Sequence, residues 1–202
     1  MKKLLIILLL CGCNAFAQDS IIWLKPPQKT KVKTETVKTK GEELASHGFS
    51  AIAEHVTLVE GIPAGQLHTL TFYFNSGLIN LNKGEFNVEY ADTNLRLMVY
   101  TVGADGKPGA LLTPTPLYFT VKASHRGALD LDLSFLNLAT QPQLYIGMAA
   151  TESHDKETVM LKVRENKDAV SYTKAKGSNN WVEYDDGSGF KFDIKMKVGV
   201  KG

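Results

Sequence analysis

The densest set of chemically useful side chains lies near the C-terminus, in Asn179-Asn180-Trp181-Val182-Glu183-Tyr184-Asp185-Asp186-Gly187. Its aromatic rings offer flat apolar surfaces, and its amides and carboxylates offer hydrogen bonds. A sugar presents the matching features, an apolar ring face and a rim of hydroxyls. Trp181, Tyr184, Asp185 and Asp186 are therefore the candidate ligand-binding residues. A structural role competes: Trp181 opens a short strand and can cap a core, and the two aspartates can solvate a hairpin turn that ends at Gly187.

Other chemistries find less support. Gly48-Phe49-Ser50 starts like a nucleophile elbow, but Ile52 stands where the closing glycine belongs, and Ser188 has Asp186 where the first glycine is needed. The five histidines (His47, His55, His68, His125 and His154) show no His-x-His or His-x-x-x-His spacing. Asp130 and Asp132 share one side of a strand, about 6.8 Å apart, and could hold a calcium ion or simply face water. Glu54, Glu89, Glu152 and Glu183 could each be nominated for glycoside hydrolysis. That reaction needs two carboxyls facing across a cleft, which spacing alone does not reveal. The expectation is a non-enzyme without cofactor or metal.

The elements that must position these residues read as strands. Leu70, Phe72 and Phe74 alternate with Thr69, Thr71 and Tyr73, and Leu95, Leu97 and Val99 with Arg96, Met98 and Tyr100. Leu117, Phe119 and Val121 alternate with Tyr118, Thr120 and Lys122, and Leu129, Leu131 and Leu133 with two aspartates. His68 falls on the parity of Leu70 and Phe72, which predicts a half-buried strand residue. From Phe190 to Val200 a single amphipathic strand is expected, with Lys191, Asp193, Lys195 and Lys197 in water. Glu42 to His47 has the composition of one helical turn, and Pro108-Gly109 suits a type II turn. About ten turn-bounded strands give an all-β chain, a single antiparallel β-sandwich of jelly-roll type.

The first 17 residues have the three parts of a secretory leader: Lys2 and Lys3, the apolar run Leu4 to Leu10, and the small-x-small site Ala15-Phe16-Ala17. The run is too short to span a bilayer, which takes roughly 20 residues. A competing route makes Leu10-Cys11-Gly12-Cys13 a lipobox, with a lipid on Cys13 and an anchor at the outer membrane. Cleavage after Ala17 removes both cysteines, and with them thiol catalysis, zinc–thiolate sites and disulfides. It also removes two of the 23 basic residues, so the remainder is formally neutral against 21 acidic ones. No global field then favours nucleic acid. Residues 18–47 read as a Lys-rich linker or edge strand and 48–202 as the sandwich domain.

Leu95 to Tyr100, Gly106-Lys107-Pro108-Gly109, Leu111-Leu112, Leu131-Asp132-Leu133-Ser134 and Leu144 to Met148 follow one another in a recognisable order. Over residues 50 to 200 this resembles the β-sandwich domains of secreted Bacteroidota proteins, some of which accompany carboxypeptidase-regulatory-like domains. Gly127 and Ala128 stand where that pattern often has an aromatic residue. The resemblance implies a galactose-binding-like jelly roll and brings no catalytic residues. The functional expectation is an exported binding module for glycan or a cell-surface protein, with a tethered structural lipoprotein and a glycan-active enzyme as alternatives.

Overall fold

The computed structural model describes residues 21–26, 32–48, 53–75, 79–81, 84–86, 90–113, 115–152, 158–184 and 189–200. The leader with Cys13, and Ser50, Asp185, Asp186 and Ser188, lie outside the described residues. The first strands are β1 (Ile22–Trp23), β2 (Thr34–Lys38), β3 (Glu42–His47), β4 (Ala53–Glu60), β5 (Gln66–Asn75), β6 (Ile79–Leu81) and β7 (Gly84–Phe86). Next come β8 (Thr93–Val102), β9 (Pro108–Leu111), β10 (Leu117–Val121), β11 (Gly127–Asp132) and β12 (Gln143–Ala150). The chain finishes with β13 (Met160–Glu165), β14 (Ser171–Ala175), β15 (Val182–Glu183), β16 (Phe190–Phe192) and β17 (Ile194–Gly199).

These strands make an antiparallel β-sandwich. The first sheet runs β1-β10-β8-β12-β4-β14-β15, with β9 also on β8. In the second, β5 pairs with β11 on one side and with β17 and β13 on the other, while β2 joins β17 and β3 joins β13. β6 and β7 form a separate ribbon. The chain passes from one sheet to the other between most successive long strands, the jelly-roll manner of winding. Among the described residues no helix is long and apolar enough to cross a membrane.

The period-two pattern explains the core. Leu70, Phe72 and Phe74 of β5 meet Leu95, Leu97 and Val99 of β8 and Leu117, Phe119 and Val121 of β10 in one buried cluster. Phe72 and Phe119 stack across the two sheets with ring centroids 6.5 Å apart. Each such side chain, fully buried, contributes roughly 1.5–3 kcal/mol. His68, expected to be half-buried on this parity, is buried instead, at a register shift where Lys197 pairs with Thr69 and Val198 with Leu67, so that Leu67 takes the core position.

Four local expectations are corrected. Glu42 to His47 is strand β3, not a helical turn. Six residues are too few to nucleate a helix alone, and β13 offers a ladder of partners. The turn before β9 is carried by Gly106 at φ 79°, whereas Pro108 and Gly109 already belong to the strand. Its closing bond runs from Gly103 N to Lys107 O at 2.7 Å. The C-terminal strand is divided at Asp193: β16 pairs with β13, and β17 pairs with β5. Lys191 and Asp193 are consequently buried rather than solvated.

The outward face of the first sheet also departs from simple alternation. Met98 and Tyr100 point away from the main core yet are buried, with Val56, Tyr145 and Tyr172, in a second cluster. Leu111 from β9 and Trp181 pack against it. Those two segments cover the sheet from outside, so a half-wet face became a thin second core.

Candidate functional site

Next to this second cluster, one row of outward side chains crosses the first sheet perpendicular to its strands. On β8, Leu95 and Leu97 enter the core, which turns Arg96 outward. Arg96 stands opposite Tyr118 of β10, and Tyr118 opposite Trp23 of β1. On its other side Arg96 stands opposite Ala149 of β12. Beyond β12, Glu54 of β4 stands opposite Lys174 of β14.

Ala149 is the small residue in this row, and Arg96 and Glu54 approach each other across β12, with Nη1 3.8 Å from Oε1. Glu54 Oε2 accepts the Tyr100 hydroxyl at 2.9 Å and pairs with Lys174 Nζ at 2.9 Å. Lys174 Nζ lies 4.5 Å from the centroid of the Trp181 ring and 5.6 Å from that of Tyr100. Trp181 in turn meets Tyr100 edge-on at 5.3 Å. Burial, then the charge of Glu54, holds the Tyr100 hydroxyl far above the ordinary phenol range. It therefore remains a donor to Glu54 at any physiological pH.

The result is an open recess of about 370 Å³ lined by Glu54, Arg96, Tyr118, Ala149, Lys174 and the turn at Lys176–Ser178. Gly177 takes φ 81° in that turn, and Ser178 N donates to Ala175 O at 2.9 Å. Three cations (Arg96, Lys174, Lys176) face one carboxylate in the lining. Lys174 is committed to Glu54 and Trp181. Arg96 makes only the long contact to Glu54 among the described residues, which leaves most of its guanidinium fork to the recess.

The candidate residues from the sequence separate here. Trp181 buttresses the recess through Lys174 and Tyr100. Tyr184 turns the other way: it packs edge-on against Phe190 at 4.5 Å and joins the main core. Trp181 and Tyr184 therefore do not form one site, and Asp185 and Asp186 lie outside the described residues. Asp130 Oδ1 accepts the Thr71 hydroxyl at 2.5 Å, and Asp132 Oδ1 accepts Ser134 N and Oγ at 2.9 and 2.7 Å. Among the described residues no three His, Cys, Asp or Glu side chains gather to hold a metal.

Arg96 and Lys174 escaped the sequence reading because charged residues at outward strand positions are ordinarily solvated. Alternation placed Arg96 on the outer face and did not single out Lys174, and only the register between distant strands aligns the two with Glu54.

No protein-family model and no curated protein sequence matches the chain. Among solved structures it is similar to the crystal structure of the cysteine protease and lectin-like domains of Cwp84, a surface layer associated protein of Clostridium difficile. The TM-score is 0.49 at 13% identity, over 76% of this chain and 33% of that one, so the match spans about a third of the chain in that structure.

Proposed function

We propose that the chain is an exported, non-catalytic binding module whose ligand is an acidic glycan seated in the Glu54–Arg96–Lys174 recess. The supporting observation is the open guanidinium of Arg96 in a sugar-sized hollow where cations outnumber carboxylates three to one. A sugar carboxylate matches that fork in two-point geometry, the strong form of a charge-assisted hydrogen bond. Tyr118 offers a ring for the apolar face of the sugar, and Ser178 and Thr151 offer hydroxyls at the rim. Glu54 is held in place before any ligand arrives, so binding orders few side chains.

Hydrolysis is the weaker reading. A glycosidase needs two opposed carboxyls, and the carboxylate in this lining is Glu54, already engaged by an ammonium and a phenol. The test is a glycan array probed with residues 18–202, wild type and Arg96→Ala. Binding should be confined to uronic- or sialic-acid-containing glycans and should be lost in the variant. Binding to neutral glycans with no effect of Arg96→Ala would contradict the site, and an array that stays blank would remove the glycan reading.

A further inference from the structure

Resting on that reading, we infer that the recess is one end of a longer track, and that the ligand is a linear polysaccharide lying across the strands from Lys174 to Trp23. The residues concerned are in line, not scattered. Register places Trp23 beside Tyr118, Tyr118 beside Arg96 and Arg96 beside Ala149, and Glu54 beside Lys174 beyond β12. From β1 to β14 this crosses five inter-strand spacings, roughly 24 Å at about 4.8 Å each, longer than one monosaccharide.

The aromatic end has no structural task that explains its exposure. Ile22 and Leu24, the neighbours of Trp23, pack against the main core and fasten β1 to β10. Trp23 itself points outward, 52% exposed, with its ring 5.9 Å from that of Tyr118 at a tilt of 42°. A second hollow of about 250 Å³ opens beside it, lined by Lys25, Asp132 and Phe135. Phe135 is likewise half-exposed. Two exposed rings flank a hollow that holds one cation and one carboxylate, so it shares with the first recess a flat apolar surface beside polar groups, with less positive charge.

From Trp23 to Ala149 the row carries Tyr118 and Arg96 and no acidic side chain, and the carboxylates at its two ends are already engaged, Glu54 by Tyr100 and Lys174, and Asp132 by Ser134. An acidic polymer therefore meets rings and a cation along the row, and carboxylates only at its ends, where each is already bonded. A chain that fills both hollows gains the second set of contacts without a second association cost, so affinity should climb with length.

The experiment is calorimetric titration of oligogalacturonates of one to six units into residues 18–202, with cello-oligosaccharides as the neutral control. Affinity for the acidic series should rise at least tenfold from dimer to hexamer. Trp23→Ala should flatten that rise by lowering hexamer affinity far more than dimer affinity in a protein that still folds, and Arg96→Ala should weaken every length. A hexamer that binds no better than a dimer, or an undiminished rise in Trp23→Ala, overturns the track and leaves the recess standing. Failure of every length to bind overturns the acidic-glycan reading and the track with it. A tryptophan fluorescence change with lipid vesicles but not with oligosaccharides, absent in Trp23→Ala, would assign that ring to a membrane surface and also overturn the track.

Discussion

Lys174 Nζ lies 4.5 Å from the centroid of the Trp181 ring while the same nitrogen stands 2.9 Å from Glu54 Oε2. The ammonium is thus held between a π face and a carboxylate, and Trp181 fixes the cation instead of presenting its own ring to a ligand. Trp181→Ala removes the cation–π contact and the edge contact to Tyr100. It should cost about 1–3 kcal/mol, read from urea unfolding monitored by circular dichroism. Glycan affinity should fall through a loosened Lys174, by less than in Arg96→Ala.

Arg164 and Asp193 form the second ion pair of consequence. Arg164 Nε lies 2.9 Å from Asp193 Oδ1, and Nη2 lies 2.9 Å from Oδ2, at the point where the C-terminal strand changes partners. Asp193 is nearly enclosed, whereas Arg164 keeps some contact with water. Arg164→Ala strands a buried carboxylate and should destabilise by roughly 2–3 kcal/mol, at and below the lower end of the range for fully buried pairs. Asp193→Asn should cost less, because it removes the charge together with the need for its partner. Equal losses in chemical denaturation would count against this role.

Gly147 predicts a close approach of β12 to β4. A Cβ at that position would collide with the backbone of His55 and Val56, where no flexible side chain can yield. Gly147→Ala should therefore separate the two strands and lower the unfolding midpoint by more than any surface substitution. Hydrogen exchange should report faster exchange along β4 and β12 in the variant.

The pH dependence follows from His55, whose burial lowers its pKa below the ordinary 6.5. The unfolded chain binds this proton more readily than the folded one. Stability from His55 is thus complete above about pH 6.5 and declines as pH falls toward the depressed folded value. Thermal melts between pH 7.5 and 5 should show this decline in the wild type and a shallower one in His55→Gln. Identical slopes would exclude His55 as its source.

How much of this was legible in the residues differs by level. Alternation on β5, β8 and β10 named the core correctly, because period two depends only on neighbours in sequence. Alternation failed at Met98 and Tyr100, where cover comes from β9 and Trp181, remote segments whose packing leaves no local signal. It failed again at Asp193, since a change of pairing partner does not disturb parity. Trp181 was recognisable by composition, and the structure places it beside the recess. Its grouping with Tyr184 dissolved because the two rings point to opposite sides of the sheet. Arg96 and Lys174 were invisible as a pair, because Tyr118↔Arg96 and Lys174↔Glu54 are matters of register between strands far apart in the chain.

The most direct test of the recess leaves every charge in place. Ala149→Leu puts a branched side chain into the low point between Arg96 and Glu54 on an outward face, so folding should be nearly unaffected. Titrating the glycan selected by the array into wild type and Ala149→Leu should show affinity falling at least tenfold in the variant, with a melting temperature within a few degrees. Undiminished binding by a folded Ala149→Leu protein would contradict the account, because no ligand could then occupy the space between Arg96 and Glu54.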